Sequence, residues 1–146
     1  MAGMRRARRL RGERGAVAVE FALILPVLVL FVVGAIEFGR AFSQYQVFQG
    51  AAREGARCAA VQAGELALGL PVCDIEDRIV SASGAYTPDL SALSVSVNGS
   101  SGTPFPCSDR GGQDVTVTWS QPLEIDIPFW RAMTIHSTIE GVFRCE

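Results

Sequence analysis

From Ala16 to Ile36 the chain reads AVAVEFALILPVLVLFVVGAI, a run of 21 residues in which Glu20 is the one charge. As a helix it spans ~31 Å, matching a hydrocarbon layer of about 30 Å. About fourteen of its side chains are Leu, Ile, Val or Phe, each contributing roughly −0.3 to −0.6 kcal/mol to insertion. One acid costs roughly +3 kcal/mol at the centre of a span and less near an end, where Glu20 lies. The apolar sum wins, and residues 16–36 are expected to cross a membrane. Pro26 removes one backbone hydrogen bond, which membrane helices tolerate.

The pattern changes at residue 37 without a break. Residues 37–63 hold no proline and no turn cluster. Phe38, Phe42, Tyr45, Gln49, Ala52, Ala56 and Ala59 fall on one helical stripe, aromatic first and small later. Glu37/Arg40 and Glu54/Arg57 are spaced as i,i+3 ion pairs. Small residues also recur every four positions, at Ala51, Gly55, Ala59 and at Ala52, Ala56, Ala60. Such rows let a second backbone approach closely, although alanine is also simply the best helix former. Gly39, Gly50 and Gly55 each cost a helix roughly 1 kcal/mol, which fits close contact or bending at those points. The spacing predicts one near-continuous helix over 16–64, half in the bilayer and half outside.

Gly64, Gly69 and Pro71 end that helix. Asp74 can cap a short helix over about 75–83 with Ile75, Ile79 and Val80 on one side. Beyond the turn at Pro88 the period becomes two. Leu93, Val95 and Val97 alternate with serines, Val115, Val117 and Trp119 with threonines, and residues 134–143 are rich in β-branched side chains. These segments predict strands of one antiparallel sheet with one wet face. Residues 98–112 are expected to be loop, and Pro122 to Trp130 an apolar excursion. Asn98-Gly99-Ser100 fits the glycosylation triplet but reads better as a turn. His136 is expected on the wet face. Phe129 and Trp130 fit either the core or an exposed partner contact.

Charge adds direction. Residues 1–15 carry six Arg and one Glu, a net +5; the remaining residues carry seven Arg and fourteen acids, a net −7. The basic head holds the N-terminus in the cytoplasm by the positive-inside rule, which places everything past residue 37 outside. An acidic outer part argues against nucleic-acid binding. A single His makes a His-based metal site or a Ser-His-Asp triad improbable. No phosphate loop is visible, since Gly111-Gly112 lacks a following Lys. Neither enzymatic activity nor a cofactor is expected.

An ordinary secretory signal has an apolar region of about 7–15 residues followed by a small-x-small cleavage site. Here the run is longer and flows into Glu37, Phe38 and Gly39. The join on its other side is more informative: Arg14, Gly15, then Ala16-Val17-Ala18-Val19-Glu20-Phe21. A basic leader ends in Gly, and an acid follows five residues later. This spacing resembles the prepilin-peptidase signal of type IV pilins and pseudopilins, in which the Gly ends the leader and the Glu is the fifth mature residue. Cleavage between Gly15 and Ala16 would leave the membrane helix on the mature protein and expose an ammonium on Ala16. Glu20 would lie one turn away, ~6 Å along the same helix. A carboxylate in hydrocarbon seeks a cation, and an axially shifted neighbour would present one in its Ala16 ammonium. Only one offset neutralises both charges, so the pair would fix axial register. The plainer role for Glu20 is a favourable place in a first helical turn.

The stretch from Arg14 to Ala60 resembles the TadE-like family, the pseudopilins of the tight-adherence (Tad) branch of type IV pili. The resemblance rests on the Gly15/Glu20 spacing, Pro26, Glu37-Phe38-Gly39-Arg40 and Ala51-Ala52-Arg53-Glu54-Gly55-Ala56-Arg57. It implies an α+β, pilin-like fold: a long N-terminal helix, then a short helix and a small antiparallel sheet packed on the helix's outer part. It divides the chain into a leader (1–15), a transmembrane helix (16–36), its extracytoplasmic continuation (37–64) and a head (65–146). It implies a single-pass protein of the bacterial cytoplasmic membrane, processed by a prepilin peptidase. Other Tad pilins and minor pseudopilins would be its partners in homo- or hetero-oligomers, with incorporation in the extracellular pilus as one destination. Phe21, Gly39, Phe42, Ala52, Gly55 and Ala56 would be helix-packing positions, Glu20 the assembly contact and residues 21–36 the anchor. The 83 residues after Ala63 favour a minor pseudopilin over the shorter fibre subunit. The rival expectation is an uncleaved single-pass anchor displaying a ligand-binding head.

A head this small has a marginal core. Four cysteines outside the cytoplasm fit two disulfides. Three pairings are possible. Cys107–Cys145 is favoured, because antiparallel strands put the start of the 114–120 strand beside the end of the 134–143 strand, and Cys58–Cys73 follows by elimination. No C-x-x-C pair supports zinc.

Overall fold

The computed structural model describes residues 4–101, 106–127 and 131–145. Helix α1 runs unbroken over Met4–Ala67, ~96 Å of rod at about 1.5 Å per residue. It is longer than predicted at both ends. Residues 4–15 are mostly Arg, Ala, Leu, Met and Glu, good helix formers onto which an existing helix propagates cheaply. At the other end Gly64 alone does not stop it, because one interior glycine costs only about 1 kcal/mol. The helix stops at Gly69, whose φ of +68° suits a residue without Cβ. The Gly69 N–H donates to the Leu66 carbonyl at 3.1 Å and the Leu70 N–H to the Glu65 carbonyl at 2.9 Å, a Schellman closure.

Helix α2 spans Ile75–Ala82, and the Asp74 carboxylate caps it by accepting from the Asp77 N–H at 3.1 Å. The connection back to α1 is tied three ways. Cys58 and Cys73 form a disulfide, Gln62 Nε2 donates to the Cys73 carbonyl at 2.6 Å, and the Cys73 N–H donates to Glu65 Oε2 at 2.7 Å.

Four strands follow: β1 (Ser94–Val97), β2 (Ser100–Ser101), β3 (Asp114–Ile125) and β4 (Met133–Arg144). They form one sheet in the order β2-β1-β3-β4, with antiparallel pairing throughout. The fold is the expected α+β arrangement, with two local corrections. Residues 98–112 are not all loop. Asn98 and Gly99 both have positive φ and join β1 to β2 as a two-residue hairpin, the geometry of a type I′ turn. Nor is Pro122 the start of an excursion: β3 continues through it to Ile125, with Pro122 opposite His136. β1 covers only residues 115–118 of β3, so beyond that point β3 has β4 as its one neighbour, and a proline is tolerated on an edge. Phe129 and Trp130 lie outside the described residues.

Alternation decides which face is buried. Val115, Val117, Trp119, Gln121 and Leu123 face inward along β3. Val117, Trp119 and Leu123 pack on α1 at Phe48, Ala51, Ala52 and Ala56, with Ile79 of α2 and Ile139 of β4 completing the core. A second cluster at the far end joins Ala59, Ala60, Val97 and Val115 to the Cys107–Cys145 disulfide. The expected stripe on α1 is displaced. Phe38 and Phe42 stay exposed, and Phe48 carries the aromatic load, fully buried. Of the two expected ion pairs, Arg40 reaches Glu37 at 3.4 Å, while Glu54 and Arg57 form none among the described residues.

Candidate functional site

α1 divides into two environments along one continuous axis. From Ala41 onward one side is covered by the chain's own head. From Gly15 to Val32 every residue is exposed. The most apolar 18-residue window within Gly15–Ala67 has a mean hydropathy of 2.8 and none of it is buried. A soluble core helix of that hydropathy would be covered by its own protein; this one is bare, so lipid or another polypeptide must cover it. The helix is long and apolar enough to cross a membrane.

Gly15, Ala16 and Glu20 lie in sequence at the N-terminal end of this bare stretch, all exposed. Ala16 and Glu20 are one turn apart on the same side. No cation among the side chains described lies within salt-bridge distance of Glu20. Phe21 is exposed one residue further on. Just past the C-terminal end of the apolar run, Phe38 and Phe42 stack with ring centroids 6.5 Å apart and stay exposed. Arg40 and Glu37 pair beside them. Aromatic and charged side chains in this order are what a helix carries where it leaves a bilayer.

The small residues on α1 serve a different neighbour. Ala52, Gly55 and Ala56 are buried against the head. A Cβ on Gly55 would come within 2.7 Å of Ile79 Cγ1, and a Cβ on Gly141 of β4 would collide with the Ala52 carbonyl. The close neighbours these rows admit are therefore the chain's own: α2 at Gly55 and the backbone of β4 at Ala52. Gly39, by contrast, is exposed with open space around it. The sequence-derived packing positions thus split into an exposed set (Phe21, Gly39, Phe42) and a set used within the subunit (Ala52, Gly55, Ala56).

Residues 15–57 match the family model described as TadE-like protein. The match begins at Gly15 and takes in Glu20, Pro26, the exposed aromatic pair and the wall of small residues under the head. Residues 58–146 fall outside this TadE-like segment, so both disulfides and the whole sheet do too. No curated protein and no solved structure matches the chain.

The head offers little titratable chemistry. Among the described residues no group of His, Cys, Asp and Glu is placed to hold a metal ion. Hydrogen bonds from the Ser91 side chain and backbone N–H hold the Asp89 carboxyl below its ordinary value. Asp89 is fully exposed there and serves a turn. His136 is exposed on β4. Two features of the head were not legible from sequence: the buried Gln121, which joins Trp119 to the loop at Asp89, and a groove between α1 and the end of the β3–β4 ribbon. Gln121 interrupts an apolar alternation, which was the available signal for the first.

Proposed function

We propose that this protein is a minor pseudopilin of a Tad pilus, a non-catalytic subunit that enters the cytoplasmic membrane with its arginine-rich N-terminus inside and its head outside. Leader removal between Gly15 and Ala16 by a prepilin peptidase frees the Ala16 ammonium. Glu20 then pairs with that ammonium on an adjacent pilin or pseudopilin, setting how far one rod stands along its neighbour. The assembled pili serve surface attachment.

The TadE-like match carries this reading, because it opens on the glycine at which the leader would end and includes the acid five residues later. The bare apolar rod supports it, since a surface of that size needs lipid before assembly and neighbouring helices afterwards. The physical logic of Glu20 is cost: a charge in hydrocarbon is tolerated when a partner neutralises it.

Mass spectrometry of the N-terminus of the protein isolated from membranes tests the proposal. A mature chain beginning at Ala16 is expected, and a bulky replacement of Gly15 should block processing. A chain that still begins at Met1 or Ala2 in cells with normal pili would identify an uncleaved anchor instead.

A further inference from the structure

The face of the β3–β4 ribbon that packs on α1 does not end where the core ends. Beyond Leu123 it continues through the cross-strand pairs Leu123–Ile135 and Ile125–Met133 toward Ile127. Met133 and Ile135 remain 51% and 42% exposed. Between this strip and the helix lies an open groove of about 800 Å³, with Phe31, Gly34 and Phe38 on the helix wall and Ile127, Arg131 and Met133 on the ribbon wall. A smaller groove of about 270 Å³ continues it upward, between Phe42 and Ile135.

The position of the larger groove is the telling observation. Its helix wall also includes Val27 and Leu30, residues of the apolar run that is long enough to cross a membrane. If the hydrocarbon ends near Ile36, Phe31 lies ~7 Å and Val27 ~13 Å inside that limit, at about 1.5 Å per residue. Ile127 and Met133 face these residues across the groove and share the outer part of that depth. A bilayer that surrounds the helix must therefore also meet the end of the ribbon.

We propose that the end of the β3–β4 ribbon is a second membrane contact, seated in the outer leaflet, with a phospholipid acyl chain in the groove and Arg131 at the phosphate level. Lipid is the occupant because the groove is continuous with the apolar surface of the helix, and its described lining residues are apolar apart from Arg131. The depth agrees with the roughly 5–10 Å to which interfacial elements enter the headgroup and acyl boundary. Arg131 is exposed and forms no ion pair among the described residues; its aliphatic stem can lie along the groove while the guanidinium meets a phosphate. Glu124 falls on the opposite face of β3 by strand alternation, and Asp126, exposed just past the end of β3, is not among the groove's described lining residues. A lone helix can rotate about its axis and slide along it. A second contact removes both freedoms and fixes the height and the facing of the head. This goes beyond the assembly role and does not depend on leader cleavage.

The test uses the full chain in phosphatidylethanolamine/phosphatidylglycerol vesicles, carrying an environment-sensitive fluorophore on A132C or, as reference, on S120C, which is exposed further up β3. The Ala132 label is expected to emit blue-shifted relative to the Ser120 label. It should be quenched by phospholipids bearing a nitroxide near the carbonyl end of the acyl chain, and protected from aqueous iodide. Ile127→Asp in the same background should return that label to water while the circular dichroism of the head is unchanged. Equal iodide quenching at both positions, with no lipid quenching, overturns the proposal. So does a label shielded from lipid and iodide alike, with F31C and A132C cross-linking between two chains, which would make a second copy the occupant. A retained leader would leave all of these readings unchanged, so failure of the pseudopilin assignment is distinguishable.

Discussion

Gly141 of β4 lies directly on the Ala52 backbone of α1, so close that a Cβ on the glycine would meet the alanine carbonyl carbon and oxygen. Strand and helix touch main chain to main chain, and neither can yield by changing a rotamer. Overpacking a core costs typically 1–3 kcal/mol, occasionally more. Gly141→Ala should therefore destabilise the head by roughly 3 kcal/mol, read as a lower melting temperature of the detergent-solubilised protein. Gly55→Ala should cost less, since its new Cβ meets the Ile79 side chain and alanine regains about 1 kcal/mol of helix propensity. Equal losses in the two variants would show that the Gly141 contact is not the tighter constraint.

Gln121 is buried, and its Oε1 accepts from Trp119 Nε1 at 3.2 Å and from the Asp89 N–H at 2.9 Å. Gln121→Leu keeps the volume and removes the acceptor, leaving the buried Trp119 N–H unpaired at about 1–3 kcal/mol and freeing the Asp89 loop from the sheet. A stability loss of roughly 2 kcal/mol or more in a denaturant titration is expected. A neutral or stabilising result would mean that water replaces the amide.

The two disulfides close loops of different length, with sequence separations of 15 for Cys58–Cys73 and 38 for Cys107–Cys145. On the chain-entropy account they stabilise by ~3 and ~4 kcal/mol. A paired serine replacement at 107 and 145 should lower the denaturation midpoint more than one at 58 and 73. The reverse order would point to structure retained in the unfolded chain near residues 107–145.

Glu20→Gln keeps the shape of the helix and removes its one acid between Ala16 and Ile36. Membrane insertion should persist or improve, because an amide is easier to bury than a carboxylate. Pilus assembly, scored by electron microscopy and surface attachment, should fall. Normal piliation with Gln at this position would remove Glu20 from the assembly mechanism.

The helices were legible because their signals are local. The apolar run, the Asp74 cap and the Gly69 stop each act within a turn or two of chain. The strands were legible where alternation was clean, at Val95–Val97 and Val115–Trp119. What escaped depends on distant residues. Pro122 counts as a strand breaker until β1 is known to end short of it. Phe48 is one aromatic among several on the rod, and only the position of the sheet shows that it is the buried one. Gly141 looks like a weak point in β4 until the strand is seen to lie on a helix backbone. The small-residue rows on α1 could equally have served another subunit, and periodicity carries no mark of which neighbour fills them.

One unbroken helix is both the wall of the head and the apolar rod long enough to cross a membrane. The head is thus welded to its shaft. A pull, twist or axial step applied to the apolar half of the rod passes to residues 48–60, and so to the β-sheet packed on them, through continuous helix rather than through a loop.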